Sequence, residues 1–358
     1  MKPPRKSPRL VLMPGCKSHQ LFRTPRALFE KRSGYPLRMC RYVAEAMAAR
    51  IAESKKQFRW KFFRGDFHSH TQHSDGIGTV AETAEMAKAA GLDFQFVTDH
   101  WGITQAPECR EHGLWVGQEP KTELHHLGVL GLRYAYVPGG KFLEDCADLQ
   151  RRGATWFIPH PTGWWPQRHY PQAAWSILEK LTAPFLMEIC NGANNLINAF
   201  DHTDAWAITL WDRLLRKRRK VHAMGNTDAH APHAIGMVWN GVFAARRSER
   251  NILAAVRSGR SFVSDGPLLQ TTLGRAGMGM EASGRDRKEG LRITAADSAG
   301  LLAIRVIGDG RRLAAFDARG RAAWVRTLAV PRRVRAYVRV EAIAEDGRRA
   351  FSNPIYLR

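Results

Sequence analysis

A chain of 358 residues can bury one large core with a smaller one beside it, and its formal charge of +22 brings an acidic partner such as phosphate or nucleic acid into consideration. Five scattered cysteines (Cys16, Cys40, Cys109, Cys146, Cys190) with no CxxC pair argue against a disulfide framework. No run approaches the roughly 18 apolar residues of a membrane span, and the basic opening lacks a signal-peptide core, so the chain reads as cytoplasmic with no membrane partner.

Residues 1–57 form a basic, proline-punctuated extension that turns helical over 42–53 and carries no recognisable chemistry. From residue 58 short apolar runs alternate with amphipathic stretches, the texture of repeated β–α units and of a mostly parallel sheet or barrel. Strands are expected at 94–98, 114–116, 127–130, 155–158, 185–189 and 221–224, with helices at 79–90, 141–152, 173–180, 204–216 and 249–257. The basic run 213–220 fits the last turns of a helix, where cations complement the dipole, better than a nucleic-acid patch. Helical periodicity ends after Ser264-Asp265-Gly266-Pro267. Alternating strands at 291–295, 302–307, 323–328 and 333–344 then suggest a small sandwich-like β domain over 266–358, behind a domain at 58–265.

The chemistry collects around Gly65-Asp66-Phe67-His68-Ser69-His70, where strand alternation would put His68 and His70 on one face, able to grip one ion. Ser74-Asp75-Gly76 favours a turn that returns the Asp75 carboxylate toward the same spot. Such a mixed N/O set suits zinc, manganese or iron. Polar groups also end most of the expected strands: Asp99 and His100, Glu119, His160, Glu188, then Asp228 and His230. The run 127–130 instead follows its histidines, His125 and His126. In barrels of parallel strands the loops at the carboxyl ends converge on one mouth.

The order HSHT, SDG, TDH, GQE, HH, PHP, EICNG and TDAH over about residues 59–265 resembles the polymerase and histidinol phosphatase (PHP) superfamily of metal-dependent phosphoesterases. Gly259-Arg260-Ser261-Phe262-Val263-Ser264-Asp265-Gly266-Pro267 and Ser352-Asn353-Pro354-Ile355 look like the carbaryl-hydrolase branch, which has an appended β domain. This resemblance implies an α/β fold, a distorted seven-stranded (β/α) barrel, with two or three divalent ions (Zn, Mn or Fe) at its mouth. By motif, His68, His70, Glu119 and Asp228 would hold the first ion. Asp75, His100 and His230 would hold a second, with Glu119 bridging. His160 and either His125 or His126 could hold a third; the histidine-to-glycine interval ending at Gly131 favours His126.

Ionisation of a metal-bound water would then supply hydroxide for attack on a small phosphate ester, without a serine or cysteine nucleophile. Asp228 and His230 would serve catalysis through the ions, Asp99 as an orienting carboxylate, and His233 as proton donor to a leaving group, with His73 a weaker candidate. Trp164, Trp165 and Arg168 are candidates to stack on or grip the substrate, Asn191 to contact it, and Glu188 to orient a ligand. Trp101 departs from the family pattern by making the mouth more apolar. Two alternatives remain: the same centre could cleave a carboxylic ester, carbamate or amide, or the chain could be a basic nucleic-acid-binding protein with a vestigial metal site.

Overall fold

The computed structural model describes residues 35–164, 168–192 and 200–358. Helix α1 (Tyr35–Lys56) leads into β1 (Phe63–Asp66), α2 (Val80–Ala89), β2 (Phe94–Val97), α3 (Ala106–Glu111), β3 (Trp115–Gln118) and β4 (Gly128–Leu130). Then come α4 (Phe142–Arg151), β5 (Thr155–Ile158), the short strands β6 (Gly163–Trp164) and β7 (Arg168–His169), α5 (Gln172–Leu178), β8 (Phe185–Asn191), α6 (His202–Arg216) and β9 (Val221–Asn226). Local signals explain the helix starts: Thr79 and Glu82 form a reciprocal capping box on α2, and Asp201 and Asp204 form another on α6.

Strands β1, β2 and β3 pair in parallel, β4 is antiparallel to both β3 and β5, and β5, β8 and β9 are again parallel. The reversed β4 was not expected, and it explains why His125 and His126 come before their strand. The start of an antiparallel strand lies at the same sheet edge as the ends of its neighbours. Gly65 sits opposite Phe94 in the β1–β2 register, and a Cβ there would meet the Phe94 ring at 2.4 Å, so only glycine admits that ring. Phe67, Phe96, Leu130, Phe157, Leu186 and Met224 form the apolar floor beneath the strand ends.

The expected barrel is not closed by a strand ladder. Among the described residues β9 and β1 share only the bridge between Ser69 and Ala229, just past their ends, while β1 pairs antiparallel with β10 (Trp239–Val242). The outer edge of β9 is satisfied instead by side-chain amides that imitate a neighbouring strand. Asn353 donates to the Ala223 carbonyl at 3.1 Å and accepts from its amide at 2.6 Å, and Asn240 does the same two residues on at Gly225, at 2.7 and 3.1 Å. Both asparagines are fully buried, so these bonds answer backbone groups that water cannot reach.

After α7 (Glu249–Arg257), β11 (Ser261–Ser264) pairs with β10, and the remaining strands follow: β12 (Leu268–Leu273), β13 (Ala276–Gly277), β14 (Glu281–Ala282), β15 (Leu291–Gly308), β16 (Arg311–Leu328), β17 (Tyr337–Ala344), β18 (Arg349–Ser352) and β19 (Ile355–Leu357). One short helix, α8 (Gly284–Glu289), interrupts them. The runs expected at 291–295 and 302–307 are one long strand, which turns through Asp309-Gly310 into an equally long partner. The β11–β18 ladder ties this β region to the sheet that carries β1. Helix α1 lies against β15, where Arg50 reaches Asp297 with two bonds of 2.7 Å. No helix among the described residues is long and apolar enough to cross a membrane.

Candidate metal centre

The sequence-derived ligands do converge. His68 and His70 lie in the extended segment just past β1 rather than within its ladder, braced there by bonds from the His70 amide to the Ala229 carbonyl (2.8 Å) and from the Asp228 amide to the His68 carbonyl (2.9 Å). Their Nε2 atoms stand 3.1 Å apart. Asp228 Oδ1 lies 3.2 Å from His68 Nε2 and 3.1 Å from His70 Nε2, and Glu119 Oε2 lies 3.4 and 3.2 Å from the same atoms. Four donors around one ion at bond lengths of about 2.0–2.2 Å would be separated by roughly 2.8–3.6 Å, whether tetrahedral or octahedral. The observed spacing fits one shared cation.

Charge and hydrogen bonding agree with that fit. All four side chains are buried, and Asp228 Oδ1 has no hydrogen-bond partner of acceptable geometry. Two carboxylates in a dry pocket require a counter-charge. Burial opposes the charge of Glu119, yet His68, His126 and His100 hold its carboxyl well below the usual range; for Asp228, His68 and His230 do the same. Burial would likewise strip the proton from His70, but Asp228 and Glu119 outweigh it and raise that imidazole to about 10. His68 is raised by the same carboxylates and Glu188 against its own burial.

A second group opens toward the mouth. Asp75, carried by the turn after His70, has Oδ1 3.3 Å from His230 Nε2 and Oδ2 3.7 Å from His100 Nε2; with His70 these four could hold an ion. The other ring nitrogens are anchored: His100 Nδ1 bonds the Glu119 carbonyl, His230 Nδ1 the Asp228 carbonyl, and His68 Nδ1 the Glu188 carboxylate, each at 2.8 Å. Each anchor presents Nε2 to the cluster, the arrangement that orients metal-binding histidines. Glu119 connects to a third set, with Oε1 3.1 Å from His126 Nδ1 and 3.0 Å from His160 Nε2. His100, Glu119 and His126 also form a possible ion-holding group, whereas His125 bonds the Ala174 carbonyl at 3.0 Å, away from the cluster.

The remaining candidate residues take distinct places around the cluster. Glu188 and Asn191 are buried beneath the ligands: Glu188 accepts from the His160 amide (2.7 Å), Asn226 (2.8 Å) and Asn191 (3.0 Å), and Asn191 also donates to Asp228 Oδ2 (3.2 Å). Both therefore brace candidate ligands from within the protein. Asp99 accepts from the Thr71 amide (2.7 Å), the Thr71 hydroxyl (2.8 Å) and Ser74 (2.6 Å), and these bonds fix the turn that carries Asp75. His233 sits in the turn Pro232–Ala234 and lines a cavity beside α1 with Cys40, Ala44 and Met47. His73 is engaged by Glu108 at 2.9 Å and Thr104 at 3.1 Å. Trp164 lies over the third set, 4.6 Å from the His160 ring and 6.1 Å from His126. Trp165 falls outside the described residues, and of Arg168 only the backbone, in β7, is described.

Sequence reasoning missed Asp66, Asn226 and Thr227. Asp66 accepts from the amides of His68 (3.1 Å) and Thr227 (3.2 Å) and from the Thr227 hydroxyl, tying the ends of β1 and β9 together; burial pushes its carboxyl up to about 7. Backbone strain marks the site too. Asp228 (φ 48°), His160 (φ 29°) and Trp101 (φ 61°) all adopt the left-handed region, which is common for aspartate and histidine but disfavoured for a residue as bulky as tryptophan.

A family model described as PHP-associated matches residues 213–261, a stretch that includes Asp228 and His230. No curated protein matches. Among solved structures, the chain is similar to a two-domain protein containing a predicted PHP-like metal-dependent phosphoesterase from Bacteroides vulgatus, at 13% identity over 83% of this chain and 94% of that one, with a TM-score of 0.42. It is similar to an amidohydrolase from Chromobacterium violaceum, at 15% identity over 48% of this chain and 89% of that one (TM-score 0.35). It is also similar to a lesion-specific endonuclease from Pyrococcus furiosus, at 15% identity over 55% of this chain and 56% of that one (TM-score 0.39).

Proposed function

We propose that this chain is a metal-dependent hydrolase of the PHP type that cleaves a small phosphate ester. One observation carries the reading: in a buried pocket the Nε2 atoms of His68 and His70 lie 3.1 Å apart and each lies 3.1–3.4 Å from Glu119 Oε2 and Asp228 Oδ1, and no hydrogen bond of acceptable geometry satisfies Asp228 Oδ1. A divalent ion held there supplies Lewis acidity and brings the ionisation of a water toward neutral pH. The chain's own contribution is positional. Glu119 presents one oxygen to the first group and the other to His126 and His160, so charge is balanced across neighbouring sites. Asp75, His100 and His230 are 9–13% exposed while His68 and His70 are sealed, so a substrate reaches the outer group first.

An ester or amide could meet the same ligands. The carbaryl-hydrolase likeness favours that rival, and the buried Asn353 of that motif bonds the backbone of β9 at Ala223. Protein stripped with a chelator and reloaded with zinc, manganese or iron should hydrolyse 4-nitrophenyl phosphate, lose activity on stripping and regain it on reloading. Turnover of 4-nitrophenyl acetate with no phosphate cleavage would move the assignment to the rival, and failure to retain any ion would end both.

A further inference from the structure

The geometry points to Trp101 as a specificity-determining platform that selects substrates carrying a flat apolar group, an aryl or nucleobase moiety, on the phosphate. The inference rests on the phosphoesterase reading and extends it to the part of the substrate beyond the reacting phosphorus. Trp101 follows the mouth ligand His100 directly, with its ring 5.7 Å from that imidazole. It is 79% exposed, the most exposed large aromatic among the described residues.

An indole left in water gains nothing from burial, and here its backbone also adopts φ 61°, a conformation disfavoured for a bulky side chain. Among the described residues no core contact or hydrogen bond explains why tryptophan occupies this place. The neighbouring rings supply a reason. The rings follow one another in steps, Trp101 to His100 at 5.7 Å, His100 to His126 at 5.3 Å, His126 to His160 at 5.3 Å and His160 to Trp164 at 4.6 Å between centroids. The histidine wall of the cluster is therefore bracketed by two indoles, the inner one partly buried and the outer one open. A phosphate drawn to the cluster would place its substituent along this wall. A planar substituent can cover the exposed Trp101 face, whereas a short alkyl group cannot.

Titration calorimetry on metal-reloaded protein tests this with phenylphosphonate and methylphosphonate, which share a head group and differ in the ring, beside benzoate and acetate. Wild-type protein should bind phenylphosphonate about tenfold more tightly than methylphosphonate. Trp101→Ala should abolish that preference without weakening methylphosphonate, and Trp101→Phe should keep most of it. The side chain is exposed, so neither variant should disturb folding. A phenylphosphonate preference that survives Trp101→Ala overturns the platform and leaves the phosphoesterase reading standing. A Trp101-dependent preference seen for the carboxylates alone keeps the platform and overturns the phosphate assignment; no ring preference in either pair overturns the platform.

Discussion

His68 and His70 face two carboxylates, and that arrangement fixes how the centre should respond to pH. In the fold, before an ion enters, Asp228 and Glu119 outweigh the burial of His70 and raise its imidazole to about 10, so at neutral pH it carries a proton that an ion must displace. His68 is raised in the same direction. Loading at pH 7 should therefore release at least one proton, and ion affinity should climb as pH rises from about 6 toward 9, because fewer protons then compete. Calorimetry in two buffers of different ionisation enthalpy measures the release; an affinity flat across that range would contradict the geometry. At this scale the candidate ligands were legible as polar groups that close apolar runs, as with Glu119 after β3 and Asp228 after β9. Glu188 obeys the same pattern and faces inward, since sequence gives the strand end but not the direction of the bond. Asp66, Asn226 and Asn240 were illegible for another reason: their letters are those of turn residues, and only folding reveals the amides they satisfy.

Elements matter here for the edge each one presents. The β–α alternation was readable from period and length, and the α7 helix at Glu249–Arg257 and the β5 strand at Thr155–Ile158 fall where the pattern puts them. Strand direction was not readable, because an apolar run such as Gly128–Leu130 looks the same either way. Helix α1 shows a second limit: its alanine-rich sequence reveals a helix but not its partner. Arg50 on α1 is paired bidentately with the fully buried Asp297 of β15 and also reaches Asp346. Removing the guanidinium would leave Asp297 buried without its cation, so Arg50→Ala should cost about 3 kcal/mol. Adding Asp297→Ala should restore part of that loss, since both charges are then gone. Denaturant midpoints of the single and double variants read this directly. A single variant as stable as the wild type would show that α1 is held by its apolar contacts, Met47 among them, without need of the ion pair.

At the scale of the whole molecule, three clustered carboxylates, Asp75, Glu119 and Asp228, sit inside a chain whose formal charge is +22. The excess is spread: Arg311, Arg312, Arg319, Arg321 and Arg326 line the exposed strand β16, and no described carboxylate pairs with any of them. A distributed positive field does not choose a substrate, but it raises the local concentration of anions and the rate at which they arrive. The reach of that field is set by salt, with a screening length of about 10 Å at 0.1 M and about 30 Å at 0.01 M. For a dianionic aryl phosphate, kcat/KM should therefore fall about tenfold between roughly 20 and 300 mM salt while kcat stays level, because steering acts on encounter and not on the bound complex. A neutral aryl ester should show no such dependence, which separates steering from a general effect of salt on the fold. If the phosphate and the ester respond alike, the positive charge serves something other than substrate capture. A short DNA duplex that inhibits at low salt and not at high would then direct attention to the arginines of β16.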